Sequence, residues 1–93
     1  MLDTDLLRSI AAQLMQNPKA ECTSRQHLRT MSFTMNGREY QAIEQNADKP
    51  SHWGQLARAG HEVVQFKDSR TNKFVAVAVD GKVIEYGSRG HLK

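Results

Sequence analysis

Polar and apolar positions alternate most regularly around two short turn sequences, Asn36-Gly37 and Asp80-Gly81. Both sequences readily take the positive φ angles that a two-residue hairpin turn requires, so each predicts an antiparallel hairpin. Counting outward from such a turn shows which side chains lie opposite each other and therefore share a face of the sheet. The two turns thus predict the register of two hairpins.

Around Asn36-Gly37 the count separates an apolar face from a polar face. The apolar face carries Met31, Phe33, Met35, Tyr40 and Ala42. The other face is mostly polar and carries Thr30, Ser32, Thr34, Glu39 and Gln41. This division is typical of a hairpin that packs one face on a core. We therefore expect the apolar set to lie on the core face, and we refer to the opposite side of the sheet as the outer face.

A strand over 62–67, joined through a loop at 69–72, extends the second hairpin to three strands. Counted from that loop, Phe66 lies opposite Val75 and Val64 lies opposite Val77. The core face of these strands is then predicted to carry Val64, Phe66, Val75, Val77, Val79, Ile84 and Tyr86. Their outer face is also apolar and carries Val63, Phe74, Ala76, Ala78 and Val83. Such a face needs a cover, which can be the second helix, another copy of the chain or another protein.

Apolar residues three and four positions apart predict two helices. The first has Asp3 or Thr4 as its cap and ends at Asn17-Pro18, because the residue before proline is disfavoured in the α region. Its apolar stripe consists of Leu6, Leu7, Ile10, Ala11, Leu14 and Met15. The second helix runs from a cap at Ser51 to a left-handed residue at Gly60. One side of it carries Trp53, Leu56 and Ala57.

The resulting element order is α-β-β-α-β-β-β, with residues 18–29 serving mainly as a connector. We expect one α+β domain over 1–88, in which the N-terminal helix covers one face of a five-stranded antiparallel sheet, followed by a flexible basic tail over 89–93. The alternative is a small, strongly curved barrel with the second helix as a plug. A chain of 93 residues is long enough for one modest core.

Composition limits the possible partners and cellular location of the protein. The formal net charge is +3 and the basic residues are scattered among ten carboxylates, which permits an acidic partner without indicating one. The single cysteine, Cys22, excludes an internal disulfide and favours a reducing compartment. The acidic start of the chain differs from a signal peptide, and the longest apolar run, over 74–79, is too short to span a bilayer. We therefore expect a cytoplasmic protein without a membrane partner.

Residue types that bind metals or catalyse reactions are present, but their spacing matches no known arrangement. His52 and His61 bracket the second helix and lie roughly 13 Å apart at 1.5 Å per residue, too far to share a metal. Cys22 and His27 provide only two ligands, without a CxxC or HExxH motif. We therefore expect no catalytic residue, no metal and no cofactor, and favour a protein that is not an enzyme.

Two hypotheses for the function follow. The first is a small interaction or regulatory domain that binds a protein partner or a second copy through the outer face, at Val63, Phe74, Ala76, Ala78 and Val83. The alternative is a nucleic-acid-binding domain or small basic ribonuclease that uses Arg58, His61, Lys67, Arg70 and Lys73. For base stacking, the predicted outer face offers a single aromatic side chain, Phe74.

Overall fold

The computed structural model describes residues 2–16, 21–22 and 28–86, which form one open antiparallel sheet and two helices. The helices are α1 (Thr4–Gln16) and α2 (His52–Arg58). The strands are β1 (Glu21–Cys22), β2 (Arg29–Met35), β3 (Arg38–Glu44), β4 (Val63–Asp68), β5 (Lys73–Val79) and β6 (Lys82–Glu85). Each strand pairs with its neighbours in the chain, so β1 and β6 are the two edges.

This architecture confirms the predicted α+β fold and the order α-β-β-α-β-β-β. The barrel alternative is wrong, because β6 does not pair with β1 and the sheet is open. The two-residue strand β1 is an addition that pairs with the start of β2, within the segment predicted as a connector. The predicted tail over 89–93 lies outside the described residues.

Helix α1 begins and ends where the sequence predicts. The Asp3 carboxylate accepts a hydrogen bond from the backbone N–H of Leu6 at 3.1 Å and so caps the first turn. The helix ends at Gln16, directly before Asn17-Pro18. Its apolar stripe is buried on the core face through Leu7, Ile10, Ala11 and Leu14.

The first hairpin has the register that Asn36-Gly37 predicts, with all six predicted pairs from Met35 opposite Arg38 to Thr30 opposite Ile43. Asn36 and Gly37 have φ angles of 54° and 75°, as the tight turn requires. On the core face, the Phe33 ring stacks on Tyr40 and meets Phe66 edge-on, with centroid distances of 5.8 and 6.0 Å.

The register between β4 and β5 is predicted correctly only next to their loop. Asp68 lies opposite Lys73 and Lys67 lies opposite Phe74, as the count from the loop gives. The register then shifts by one residue, so that Phe66 faces Ala76. Val75 is the extra residue of this β-bulge, which inserts one residue into one strand of a pair. The predicted pairs of Phe66 with Val75 and of Val64 with Val77 are therefore wrong.

Because side chains alternate along a strand, the one-residue shift exchanges the predicted faces of β5 and β6. Ala76 and Ala78 lie on the core face, with 0% and 1% exposure, and Val83 packs against the same core. Val77 and Tyr86, predicted on the core face, lie on the outer face instead. So do Val79 and Ile84, whereas Val75 packs against the edge of the core from within the bulge.

Helix α2 packs on the outer face and covers the part that follows the bulge. The Trp53 indole N–H bonds to the Tyr86 hydroxyl. That hydroxyl donates to the Gln65 side-chain oxygen at 2.8 Å, and the Gln65 amide donates to Gln45 at 2.9 Å. Beneath this network Val63, Gln65 and Val77 are buried. The chain thus covers this half of its own outer face.

Position 54, inside α2, requires glycine because the helix passes close to the backbone of the preceding loop. A Cβ at this position would lie 2.1 Å from the carbonyl oxygen of Lys49, an atom of the backbone that a side-chain movement cannot displace. The helix therefore crosses the preceding loop closer than any other residue type permits.

We predict that Gly54→Ala lowers the free energy of unfolding by about 3 kcal/mol, although glycine to alanine in an unhindered helix raises stability by about 1 kcal/mol. The matched variant is Gly60→Ala, where φ is +100° and no atom lies within 4 Å of the new Cβ. Only backbone strain acts there, so we expect a loss of about 1 kcal/mol. Urea denaturation of both variants measures the difference, and equal losses would contradict a close approach at Gly54.

A second substitution tests the corrected register. Ala78→Lys buries an unpaired charge beneath α1, and we expect it to lower the free energy of unfolding by roughly 3 kcal/mol or more. Val79→Lys places the same charge on the half-exposed outer face of the same strand, and we expect a much smaller loss. Urea denaturation again distinguishes them. If Val79→Lys proved the more damaging variant, the faces of β5 would be those counted from the loop without a bulge.

Candidate binding surface on the outer sheet face

The outer face has a second half, near the Asn36-Gly37 turn and the loop over 69–72, that α2 does not cover. Four side chains form one row across it, because the pairing places Ser32 beside Gln41, Gln41 beside Lys67, and Lys67 beside Phe74. Adjacent strands are about 4.8 Å apart, so these side chains are direct neighbours. We call this row, together with the neighbouring outward-facing pair of Thr34 and Glu39, the open surface.

Phe74 is the apolar centre of the open surface. Among the described residues it is the one large hydrophobic side chain that is exposed, at 49%. The bulge is responsible, since Phe74 and Ala76 are two positions apart and would share a face in a regular strand. Because Val75 is the extra residue between them, Ala76 faces the core and Phe74 faces outward beside Lys67.

One basic residue, Lys67, lies directly opposite Phe74 on the same face. Arg70 belongs to the connecting loop, whereas Lys73 pairs with Asp68 and lies on the opposite face of the strand. This loop is held by Asp68, which accepts the backbone N–H groups of Arg70 and Thr71 at 2.9 and 3.4 Å. Within the described part of the chain none of the three basic side chains forms an ion pair with a carboxylate, whereas Arg38 is bound to Asp68 at 3.3 Å. Their charges are therefore available to an anionic ligand.

The other two basic candidates lie elsewhere. Arg58 donates to the backbone carbonyls of Ala47 and Lys49 and so holds the loop before α2. His61 is bound to Asp80 at the opposite end of β4, roughly 20 Å from Lys67 along the strand. The five basic candidates thus do not form one patch, and Lys67 is the one that the strand pairing places beside the exposed aromatic ring.

The five residues predicted to form a partner-binding face do not share one. Ala76 and Ala78 are buried beneath α1, and Val83 borders the same core. Val63 is on the outer face but is only 2% exposed, on the half that α2 covers. The β-bulge is the reason, because it moves the apolar residues of β5 and β6 to the opposite sides. Phe74 is the member of this set that reaches the surface.

The acidic, histidine and tyrosine side chains stabilise turns and packing. Asp80 accepts the backbone N–H of Glu62 at 2.9 Å and binds the His61 ring at 2.6 Å, and these two interactions hold the pKa of its exposed carboxyl below the usual range. Burial raises the pKa of the Tyr86 phenol, which its hydrogen bonds to Gln65 and Trp53 offset only in part. Among the side chains that the structure describes, in 2–16 and 28–86, no three histidine, cysteine or acidic groups come together as a metal site.

A groove of about 130 Å³ lies between α1 and the ends of β4 and β5. Arg8, Glu62 and Asp80 line its polar side, and Arg8 spans it by donating to the carbonyl of Gly81 at 3.1 Å. This hydrogen bond joins α1 to the Asp80-Gly81 turn, so we assign the groove a structural role.

Searches against protein-family models, curated proteins and solved structures gave no significant match. No helix in the described part of the chain is both long and apolar enough to cross a membrane. The open surface is therefore the feature on which a functional proposal rests. The sequence predicted Phe74 in one binding set and Lys67, Arg70 and Lys73 together in another. It did not predict that Phe74 and Lys67 lie in one row with Ser32 and Gln41, because the pairing of β3 with β4 spans a long connection that carries no turn signal.

The Asp80 carboxylate makes the stability of the folded protein depend on pH. Its pKa in the folded protein lies below the ordinary value of 3.8, so its stabilising effect is present above about pH 4 and is lost as the pH falls through the lowered pKa. We predict that Asp80→Asn is less stable than the native chain at pH 7 and that the difference shrinks toward pH 3. Asparagine keeps both the hairpin turn and an acceptor for Glu62, so the variant isolates the charge.

Urea denaturation at both pH values measures this effect. Asp48→Asn serves as the control, because Asp48 is exposed and forms no ion pair with any described residue. A stability difference for Asp80→Asn that stayed constant with pH would contradict the role of the carboxylate.

Proposed function

We propose that this chain is a non-catalytic domain that binds single-stranded nucleic acid on its open surface. The observation that supports the proposal is the half-exposed ring of Phe74 with Lys67 directly beside it and Arg70 in the adjoining loop, neither of which forms an ion pair with a described carboxylate. An exposed aromatic ring on a sheet stacks against an unpaired base, and neighbouring basic side chains contact the phosphates.

The rest of the open surface is polar. Ser32, Thr34 and Gln41 extend from Lys67 toward β2 and present hydroxyl and amide groups that both donate and accept hydrogen bonds, and the exposed carboxylate of Glu39 lies opposite Thr34. Such groups can bind base edges or the sugar. A base that follows the one on Phe74 would lie over this polar part of the surface.

Single strands fit better than duplexes. The rim of the open surface is formed by tight turns, and no described helix projects from it to enter a groove, because α1 lies on the core face and α2 packs against the other half of the outer face. The Phe74 ring can stack only on a base that is not already paired and stacked within a duplex.

Hydrolysis is not part of the proposal. Of the two described histidines, His61 is bound to Asp80 roughly 20 Å from Phe74 along β4, and the His52 ring packs against Trp53 at a centroid distance of 5.0 Å. A ribonuclease needs a general base within hydrogen-bond reach of the ribose hydroxyl. The proposal therefore retains the nucleic-acid part of the alternative hypothesis and omits the ribonuclease part.

A protein partner at the same surface has less support. Four of the five apolar residues that motivated it are buried or border the core, and one exposed phenylalanine is ordinary for a protein surface. The basic group beside Phe74 favours a polyanion over an apolar protein surface. A reducing compartment, which the single cysteine favours, is consistent with contact between a cytoplasmic protein and nucleic acid.

We predict salt-dependent binding of a fluorescent single-stranded oligonucleotide, measured by anisotropy between about 50 and 200 mM salt. Phe74→Ala should weaken binding about tenfold or more, since stacking one base contributes about 1–3 kcal/mol. Phe74→Tyr should retain binding, and Phe74→Leu should not, because leucine keeps the apolar contact without the aromatic ring. Lys67→Ala should reduce the slope of log K against log salt by about 0.7, whereas Lys73→Ala, on the opposite face of the strand, should reduce it less.

Lys82→Ala is the matched control, because this exposed lysine lies at the opposite end of the sheet and pairs with no described carboxylate. The same oligonucleotide as a duplex should bind more weakly than the single strand. Absence of binding at the lowest salt, or equal loss in Lys67→Ala and Lys82→Ala, would refute the proposal. Capture of a protein that depends on Phe74 and tolerates leucine there would indicate a protein partner instead.

A further inference from the structure

Glu39 brings a negative charge to the open surface. It lies opposite Thr34 on the outer face of the first hairpin, and its side chain is exposed. Although Glu39 is a diagonal neighbour of Lys67 across β3 and β4, its carboxylate forms no ion pair or hydrogen bond with a described residue. A carboxylate repels phosphates. On a surface that binds nucleic acid it can therefore add affinity only through the uncharged bases and sugars.

Gln41 lies beside Glu39 on the same face of β3. The two residues are two positions apart, so both side chains point outward and their Cα atoms are separated by about 7 Å. The Gln41 side chain also bonds to no described residue. A carboxylate only accepts hydrogen bonds, whereas a glutamine amide both donates and accepts them. Together the two side chains present two acceptor oxygens next to an N–H donor.

Guanine is the base whose edge matches this arrangement. Its Watson–Crick edge carries two adjacent donors, N1–H and the N2 amino group, next to the acceptor O6. A carboxylate can accept both donors at once, and a neighbouring amide can donate to O6. Adenine, cytosine and thymine each have a single donor group on this edge, with an acceptor beside it. They would turn that acceptor toward a carboxylate oxygen, which leaves both groups without a donor.

Lys67 lies between this pair of side chains and Phe74. Gln41, Lys67 and Phe74 are neighbours in one row across three strands, so Gln41 and Phe74 are roughly 10 Å apart. Consecutive bases of an extended single strand are joined through one phosphate. With one base on Phe74 and the next over β3, the linking phosphate falls near the Lys67 ammonium group, which has no carboxylate partner among the described residues.

We propose that Glu39 makes the open surface selective for guanine at the nucleotide next to the one stacked on Phe74, with Gln41 bonding to O6 of the same base. The inference rests on the proposed function, because it names the base that the same surface selects. Glu39 and Gln41 supply the selectivity, whereas Phe74 and Lys67 contribute affinity for any single strand.

Fluorescence anisotropy at low salt tests the selectivity with short oligothymidines that differ in one central base. The oligothymidine with a single guanine should bind at least about tenfold tighter than those with adenine, cytosine or thymine at that position, because only guanine forms the bidentate contact. Inosine lacks the N2 amino group but retains N1–H and O6. An oligothymidine with inosine should therefore bind several-fold more weakly than the one with guanine.

Glu39→Gln tests the residue, because it keeps the size of the side chain and replaces one acceptor oxygen by a donor. We expect the preference for guanine to fall to about twofold or less. Affinity for plain oligothymidine should stay the same or rise, since a negative charge is removed. Glu62→Gln is the matched control and should keep the full preference. Glu62 is exposed, directly precedes β4 at the end away from Phe74, and its side chain bonds to no described residue.

Binding of none of the oligonucleotides at the lowest salt would refute the proposed function and the selectivity together. Equal binding of all of them by the native chain would refute the selectivity alone. A preference for guanine that persists in Glu39→Gln would overturn the role of Glu39. So would a variant that binds every oligonucleotide more tightly by the same factor, because the carboxylate would then act only by repulsion. Circular dichroism verifies that both variants fold.

Discussion

The architecture depends on one extra residue, Val75, at the β-bulge between β4 and β5. The shift places the two small residues Ala76 and Ala78 under α1, where the absence of larger side chains lets the helix approach the sheet. It sends Val77 to the outer face beneath α2, and it turns Phe74 outward beside Lys67. Helix packing on both faces and the exposure of the aromatic ring thus follow from the same local irregularity.

The two faces of the sheet are completed in different ways. On the core face, α1 covers an apolar cluster, and Arg29 ties its end to the sheet by bonding to the Met15 carbonyl and to Glu44. Burial raises the pKa of Glu44, but the hydrogen bonds and charge of Arg29 together outweigh this effect and hold it below the usual range. On the outer face, a polar network of Gln65 and Tyr86 joins the sheet to the short α2. Because α2 is only seven residues long, half of that face stays open.

The open surface and the helix α1 lie on opposite sides of the sheet. The open surface spans β2 to β5 near the loops, and the side chains that form it take no part in the core beneath α1. Substitutions on the open surface can therefore change binding while the core remains intact.

The sequence by itself determined the elements whose signals are local. Asn36-Gly37 and Asp80-Gly81 determined the register of two hairpins, and Asp3, Pro18 and Ser51 determined helix limits, because turns and caps depend on a few adjacent residues. Only the tertiary structure decided which face of β5 lies on the core. Val and Ala alternate there, so both faces are apolar and the hydrophobic pattern favours neither. Packing beneath α1 selects the face with the smaller residues, and a bulge of one residue gives the chain that register while leaving both flanking turns unchanged.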